Sequence, residues 1–114
     1  MSELRLSVRC DIKDGRLEDF KKVAAACLQT VRTKDTRTLQ YEWFLNEDET
    51  KCIMLERYDS SDALLEHLAN LGETFGELLD TCVMKVDLFG TPSAELLEAT
   101  EAIPRRISTF YQGT

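Results

Sequence analysis

Residues 51–58 form a strand-like segment near the middle of the sequence that is apolar on both of its faces. Successive side chains of a β-strand point to opposite faces. Cys52 and Met54 therefore lie on one face, and Ile53 and Leu55 lie on the other. A strand of this kind is usually central in a sheet and covered on both faces. The fold of this chain must therefore cover both sides of its sheet.

This segment is the second strand of a hairpin that leads into a helix. Residues 39–45 alternate as a strand does, and a polar acidic turn joins them to residues 51–58. Asp59 or Ser60 then supplies an N-cap, and an apolar stripe from Leu64 to Leu79 at helical spacing predicts one long helix. The pattern therefore predicts strand, turn, strand and capped helix in succession.

The remaining patterns complete one domain that covers residues 1–114. They predict a first strand at Leu4–Ile12, a helix at about Arg16–Arg32, a fourth strand at Thr81–Phe89, a short helix from Ser93 to about Glu101, and a short last strand at Arg106–Tyr111. The order is βαββαβ with a small αβ tail. This is the ferredoxin-like split βαβ arrangement, an α+β fold with both long helices on one face of an antiparallel sheet.

The other face of such a sheet is left open, and on this chain it is apolar. Whichever way residues 51–58 are turned, two apolar side chains point to the open face, and Phe44 opposes Trp43 on the neighbouring strand. A large exposed apolar patch is a liability for a monomer. We therefore expect a homodimer in which the open faces pack together about a two-fold axis. In the alternative the tail folds over the open face, but a short tail covers little of a four-stranded sheet.

Composition limits the partners of the chain. The formal net charge is −7 and the basic residues are scattered, which argues against a nucleic-acid partner. The first fifteen residues are charged and have no apolar core, and no apolar run approaches the roughly 20 residues that span a bilayer. We expect neither a signal peptide nor a membrane partner, and a cytoplasmic location.

The cysteine pattern indicates buried thiols rather than a metal site. The four cysteines are Cys10, Cys27, Cys52 and Cys82, each with apolar neighbours inside a predicted strand or helix. In a reducing compartment they act as small hydrophobic side chains. With one histidine in the chain and no paired cysteine spacing, we predict no metal.

The segment ERYDSSDALLEHLAN resembles the antibiotic biosynthesis monooxygenase domain, a branch of the dimeric α/β-barrel superfamily. The family typically has an acidic residue, one intervening residue, an aromatic residue, a serine-containing cap and a helix with a histidine. The matching residues are Glu56, Tyr58, Ser60 and His67. YEWFLNEDETKC resembles the hairpin of the family and FGTPSAELLE resembles the tail of one subgroup, so the resemblance covers almost the whole chain.

The resemblance implies a homodimer with a pocket between the sheet and helices of each subunit. Some members oxidise quinols or polyketide phenols with O2 and without metal or flavin. Others degrade haem, isomerise signalling molecules or have no known activity. Many members have a second histidine after the first, where this chain has Ala69–Gly72. Haem-degrading members have an asparagine on the first strand, which residues 4–12 lack, so we set haem aside and expect no cofactor.

The resemblance makes His67 the candidate general base, with Glu56 and Tyr58 as catalytic partners. His67 lies at the edge of the apolar stripe, so it can border a cavity, and an imidazole can take a proton from a phenol. Glu56 lies in phase with Tyr58 on an apolar strand, where a carboxylate needs a partner. The structural alternatives are a boundary histidine, a tyrosine that only packs, and a Glu56 that pairs with Arg5 or Arg9.

Tyr41, Trp43 and Asn70 are candidate substrate-binding residues. Tyr41 and Trp43 share a strand face and can stack on a planar aromatic molecule, although such a pair more often belongs to a core or an interface. Asn70 follows His67 by one helical turn and can help to hold an oxygen species. Its position nearly opposite the apolar stripe favours exposure instead.

The leading hypothesis is a cofactor-independent monooxygenase that acts on a quinol or another planar phenol. His67 removes a proton, and the substrate anion reacts directly with O2. Two alternatives remain open. One is a non-catalytic dimer that binds a small molecule or has a structural role. The other is a cofactor-free isomerase that also uses His67 as its base.

Overall fold

A computed structural model describes residues 2–114 as an α+β fold built on one five-stranded sheet. The elements in chain order are β1 (Leu4–Ile12), α1 (Leu17–Lys34), β2 (Thr38–Leu45), β3 (Lys51–Tyr58), α2 (Ser61–Leu71), α3 (Glu73–Thr81), β4 (Cys82–Phe89), α4 (Ala94–Ala99) and β5 (Arg105–Ser108). The strand order is β2-β3-β1-β4-β5. Pairing is antiparallel except between β4 and β5, which are parallel. The predicted ferredoxin-like fold is confirmed.

The core lies between one face of the sheet and helices α1, α2 and α3. Alternation along β1 buries Leu4, Leu6, Val8 and Cys10 on this face. On β3 the buried set is Cys52, Met54, Glu56 and Tyr58. Ile53 and Leu55 therefore point to the opposite face. All four cysteines are free thiols and buried. No helix among residues 2–114 is long and apolar enough to cross a membrane.

The predicted long second helix is in fact two helices separated by Gly72. Gly72 has φ +51° and ψ −127°, and its N–H still bonds to the carbonyl of Leu68 at 3.1 Å. Residues with a Cβ rarely adopt a positive φ, so glycine makes this break possible. Helix α2 begins at Ser60, whose hydroxyl accepts a hydrogen bond from the Ala63 N–H. The break lets both pieces bury apolar side chains, Leu71 on α2 and Leu78 on α3.

The C-terminal tail packs beside the helices and extends the edge of the sheet. The hydroxyl of Ser61 on α2 accepts a hydrogen bond from the backbone N–H of Ser93 at 2.9 Å. Leu96 of α4 is fully buried. Strand β5 then pairs with β4, from Val86 opposite Arg105 to Phe89 opposite Ser108. The tail therefore does not cover the open face of the sheet.

The open face carries exposed apolar side chains together with charges. Phe44 is 49% exposed and Val83 is 51% exposed, and both are large apolar residues on strands. Leu55 and Phe89 are also exposed there. The same face carries charged side chains of both signs, among them Arg5, Arg9, Glu42, Lys85 and Asp87. The apolar open face that the alternation predicts is present in the structure.

Gly90 and Gly76 provide a matched test of the backbone. Gly90 has φ +133°, and a Cβ there would lie 2.9 Å from Leu4 Cδ2 and 3.1 Å from the carbonyl oxygen of Glu3. We expect Gly90→Ala to lower the free energy of unfolding by about 1–3 kcal/mol. A Cβ on Gly76, inside α3, meets nothing within 4 Å. Gly76→Ala should raise the same free energy by about 0.5–1 kcal/mol. Chemical denaturation measures both, and equal effects would contradict the backbone account.

Candidate active site

A mainly apolar cavity of about 60 Å³ lies between the sheet and the helices. The sheet side of the cavity consists of Leu6, Val8, Met54, Met84, Val86 and Leu88. The helix side consists of Leu64, Leu68, Leu71, Phe75 and Leu78. The tail contributes Ile103. A cavity with such a lining excludes water from any molecule that it holds, and buried charges in it interact strongly.

Five polar residues reach the wall of this cavity. They come from β2, β3, α2, the C-cap of α4 and β5, and they are Tyr41, Glu56, His67, Thr100 and Arg105. Three of the sequence-predicted residues, Tyr41, Glu56 and His67, are therefore brought together by the fold. Trp43, Tyr58 and Asn70 do not line the cavity, but each contacts a residue nearby.

Glu56 has Tyr58 as its hydrogen-bond partner. The Tyr58 hydroxyl donates to Glu56 Oε1 at 2.5 Å, and both side chains are buried. Burial raises the pKa of Glu56, although the charge of His67 and the Tyr58 hydrogen bond act to lower it. Arg5 lies on the opposite face and bonds to Glu3 instead. The alternation of β3, which turns Glu56 inward, thus separates it from the arginine.

Asp35 holds His67 in place and was not among the residues predicted from the sequence. Asp35 Oδ2 lies 2.8 Å from His67 Nδ1, and the two side chains are only 1% and 4% exposed. Asp35 is the C-cap residue of α1 and lies in a polar segment typical of a solvated loop. No local signal distinguishes it, because its partner is 32 residues away. Only the packing of α2 against the end of α1 brings them together.

The Asp35 carboxylate is ionised and tied by three side chains. Asn70 Nδ2 donates to Oδ1 at 2.8 Å, and the Thr38 hydroxyl donates to Oδ2 at 2.7 Å. Burial by itself would raise the pKa of Asp35, but the bonds from Asn70, Thr38 and His67 together lower it. A carboxylate accepts hydrogen bonds, so His67 Nδ1 carries its hydrogen. Nε2 is therefore the unprotonated nitrogen in the neutral ring.

Aromatic rings surround the imidazole of His67. Its centroid lies 5.0 Å from that of Tyr41 and 5.2 Å from that of Tyr58. Burial, together with the charge of Glu56, raises the pKa of Tyr41 and of Tyr58, so both stay neutral phenols. Trp43 packs edge-on against Tyr41 and Phe20, with centroids 5.7 Å and 5.8 Å away. These contacts fix the orientation of the imidazole.

Within residues 2–114, no group of three or more His, Cys, Asp and Glu side chains is placed to hold a metal ion. The polar groups of the cavity are instead suited to proton transfer and hydrogen bonding. His67 can act as a base through Nε2, and the raised pKa of Glu56 suits it to give or take a proton.

Comparison with known proteins identifies the family. Residues 4–79 match the family model described as antibiotic biosynthesis monooxygenase. This match covers more than half of the chain, so the chain belongs to that family, as the resemblance predicted. Family membership supports assignment as a monooxygenase. No curated protein sequence matches the chain significantly.

Several solved structures have a similar fold at low sequence identity. MupZ from Pseudomonas fluorescens is 19% identical with a TM-score of 0.85, and the alignment covers 100% of this chain and 94% of MupZ. SnoaB from Streptomyces nogalater, a cofactor-independent oxygenase, is 15% identical with a TM-score of 0.67, covering 82% and 97% respectively. A putative antibiotic biosynthesis monooxygenase from Caulobacter crescentus is 17% identical with a TM-score of 0.68, covering 76% and 87%. These likenesses show the fold.

The buried carboxyl of Glu56 makes stability depend on pH. An unfolded glutamate ionises near its usual pKa of 4.5, whereas folded Glu56 ionises at higher pH. Between those values the folded state binds more protons, so its stability falls as pH rises. Glu56→Gln keeps an acceptor for Tyr58 and cannot ionise. As pH rises above 4.5, the wild type should lose stability and this variant should not. We therefore expect the free energy of unfolding of Glu56→Gln minus that of the wild type to increase with pH.

Urea denaturation from about pH 4 to about pH 8 measures this difference. Tyr58→Phe serves as the companion variant, because it removes the hydrogen bond that lowers the pKa of Glu56. The pKa of Glu56 in Tyr58→Phe should therefore be higher still, and the stability of this variant should keep falling up to a higher pH than that of the wild type. Parallel curves for the wild type and Glu56→Gln would contradict the raised pKa.

Proposed function

We propose that this protein is a cofactor-independent monooxygenase whose substrate is a quinol or another small planar phenol. The observation that carries the proposal is the buried Asp35–His67 pair, with a separation of 2.8 Å, at the wall of an apolar cavity. A base that is oriented by a carboxylate, in a site that excludes water, is what deprotonation of a phenol requires.

Proton transfer is the first step. The phenolic O–H bond of the substrate breaks, and the proton passes to His67 Nε2. The imidazolium that forms donates through Nδ1 to Asp35, and the negative charge of Asp35 stabilises it. Asn70 and Thr38 keep the Asp35 carboxylate in position. In this role Asn70 is a positioning residue, and the substrate does not contact it.

Oxygen then reacts with the substrate anion. The anion gives one electron to O2, and the resulting radical pair forms a C–O bond, which yields a peroxide. The O–O bond breaks with loss of water, and His67 returns its proton in this step. For a quinol the balance is quinol plus O2 to hydroxyquinone plus water. The two oxygen atoms are accounted for, and no external reductant is consumed.

Substrate binding requires the cavity to expand. An engineered cavity that binds benzene has a volume of about 150 Å³, whereas this cavity has about 60 Å³. Met54 and Met84 in its wall are unbranched and adapt to new shapes easily. We expect Tyr41, which lies in the cavity wall, to contact the ring of the substrate, and Trp43 packs edge-on against Tyr41.

Isomerisation without oxygen is a second candidate function, and Glu56 favours it. An isomerase of a hydroxyketone needs a base to remove a proton from carbon and an acid to protonate the neighbouring carbonyl oxygen. His67 and Glu56 border the same cavity, and burial raises the pKa of Glu56. The enediol that forms then takes a proton at the former carbonyl carbon and loses the proton of its original hydroxyl, which gives the isomeric hydroxyketone. This reaction consumes no O2, which separates the two candidates.

We further propose that the protein is a homodimer formed by its open sheet faces. Phe44, Leu55, Val83 and Phe89 are exposed on that face, and the tail leaves them uncovered. Cationic and anionic side chains also lie among them, so a two-fold partner can match opposite charges. The cavity lies on the other side of the sheet, so each subunit keeps its own site.

His67→Ala and Asp35→Asn test the reaction. With a panel of benzoquinols and naphthoquinols, we expect His67→Ala to lower the rate of O2 uptake about 10²-fold or more. Asp35→Asn should lower kcat because it favours the wrong tautomer of His67. Asp62→Asn, which is exposed in the first turn of the same helix, should behave as the wild type. An oxygen electrode measures the rates.

Wild-type turnover by His67→Ala would contradict the role of His67. If the wild type consumes no O2 with any quinol but exchanges a substrate C–H for deuterium in the presence of a hydroxyketone, the isomerase is supported instead. If it does neither, the remaining explanation is a binding or structural dimer. Sedimentation of each variant confirms that assembly is unchanged.

Leu55→Asp tests the dimer. It places a charge on the open face at a position that is already partly exposed, so the monomer should still fold. We expect the variant to sediment as a monomer at concentrations where the wild type sediments as a dimer. Ala26→Asp adds the same charge to the exposed surface of α1 and should remain dimeric. A Leu55→Asp dimer would exclude this interface.

A further inference from the structure

Arg105 is a cation in the cavity wall whose side chain is only partly satisfied. It lies on β5 opposite Val86, so its side chain is on the same face of the sheet as the cavity. Its Nη1 donates to the carbonyl of Thr100, and its Nη2 donates to the carbonyl of Leu97 at 3.2 Å. Its Nε is buried and has no hydrogen-bond partner.

No carboxylate of the described chain, residues 2–114, forms an ion pair with Arg105. The neighbouring arginine shows the contrast. Arg106 points to the open face and bonds to both oxygens of Asp87, at 2.7 Å and 3.2 Å. Glu56 is the carboxyl group in the cavity wall, but Tyr58 occupies its Oε1. The positive charge of Arg105 is therefore uncompensated within the cavity.

A buried donor without a partner destabilises the folded state, and the cost is larger when the group is charged. Such groups are rare, and where they border a cavity an oxygen from a bound molecule can satisfy them. The two carbonyl bonds already hold the guanidinium in one orientation. A ligand oxygen that accepts from Nε would therefore meet a donor whose side-chain freedom is largely lost before binding.

We propose that Arg105 Nε binds an oxyanion of the substrate, so that the cavity selects a mainly apolar molecule with one anionic oxygen group. A carboxylate, a phenolate and an enolate share this chemistry. The inference rests on the proposed function in one respect: the proton that His67 removes leaves a negative charge on the substrate, which Arg105 stabilises. The carboxylate probe used below needs no such reaction.

Arg105 lies in the C-terminal tail, outside the part of the chain that the family model matches. The family match ends at residue 79, whereas Leu97, Thr100 and Arg105 all lie beyond it. The small helix and the last strand thus supply a cation on the side of the cavity that the tail closes. His67 and Glu56 are supplied by α2 and β3. A substrate anion therefore contacts groups from both parts of the chain.

Binding of two isosteric probes tests the inference without turnover. Benzoate and nitrobenzene have the same shape, and only benzoate is charged. By titration calorimetry or ligand-observed NMR near neutral pH, we expect the wild type to bind benzoate more tightly. Arg105→Met should weaken benzoate about ten-fold or more, since hydrogen bonds to charged groups contribute about 1.5–3 kcal/mol. Its affinity for nitrobenzene should be unchanged. Arg105→Lys keeps the positive charge but not the planar guanidinium. Its affinity for benzoate should therefore lie between those of the wild type and Arg105→Met.

Nitrobenzene binding also reports whether the cavity survives, because Arg105 helps to hold the carbonyls of Leu97 and Thr100. Arg32→Gln removes an exposed charge at the end of α1 and should bind both probes as the wild type does. Equal wild-type affinity for the two probes overturns the inference. So does an equal loss of both probes in Arg105→Met, which would make Arg105 structural only. Absence of O2 uptake would refute the monooxygenase and leave this result standing.

Discussion

The bond between Asp35 and His67 joins three parts of the fold that are distant in sequence. Asp35 ends α1, Thr38 begins β2, and His67 and Asn70 lie on α2. A buried carboxylate is costly unless hydrogen bonds satisfy it, and three side chains do so here. The same arrangement that stabilises the charge sets the tautomer of the imidazole. The same contacts therefore stabilise the buried carboxylate of Asp35 and prepare His67 to act as a base.

The alternation of side chains along β3 gives the two faces of that strand different roles. On β3, Met54, Glu56 and Tyr58 turn toward the helices while Ile53 and Leu55 turn away. The inward set supplies a cavity wall and a carboxyl of raised pKa, and the outward set supplies an apolar surface. One strand thus serves both the candidate site and the proposed dimer interface. The tail adds Arg105 to the site without covering that surface.

Much of the architecture was predictable because it depends on local patterns. The boundaries of β1 and β3 follow from alternation, and the start of α2 follows from the cap at Ser60. The break at Gly72 was not predicted, since the apolar stripe continues through it and only packing decides whether a glycine bends the chain. The candidate site was half predictable. Glu56 and Tyr58 share a strand face, so their contact follows from sequence, while Asp35 looked like a loop residue.

The sequence by itself determined which side chains of a strand share one face of the sheet, because they alternate with a period of two residues. It also determined the family through the motif from Glu56 to His67. Only the tertiary structure decided that Asp35 meets His67 and that Arg105 reaches the cavity. His67 lies 32 residues from Asp35, and Arg105 lies on β5, which pairs with β4 at the edge of the sheet. Contacts of that kind depend on how helices and strands pack, and no periodicity along the chain records them.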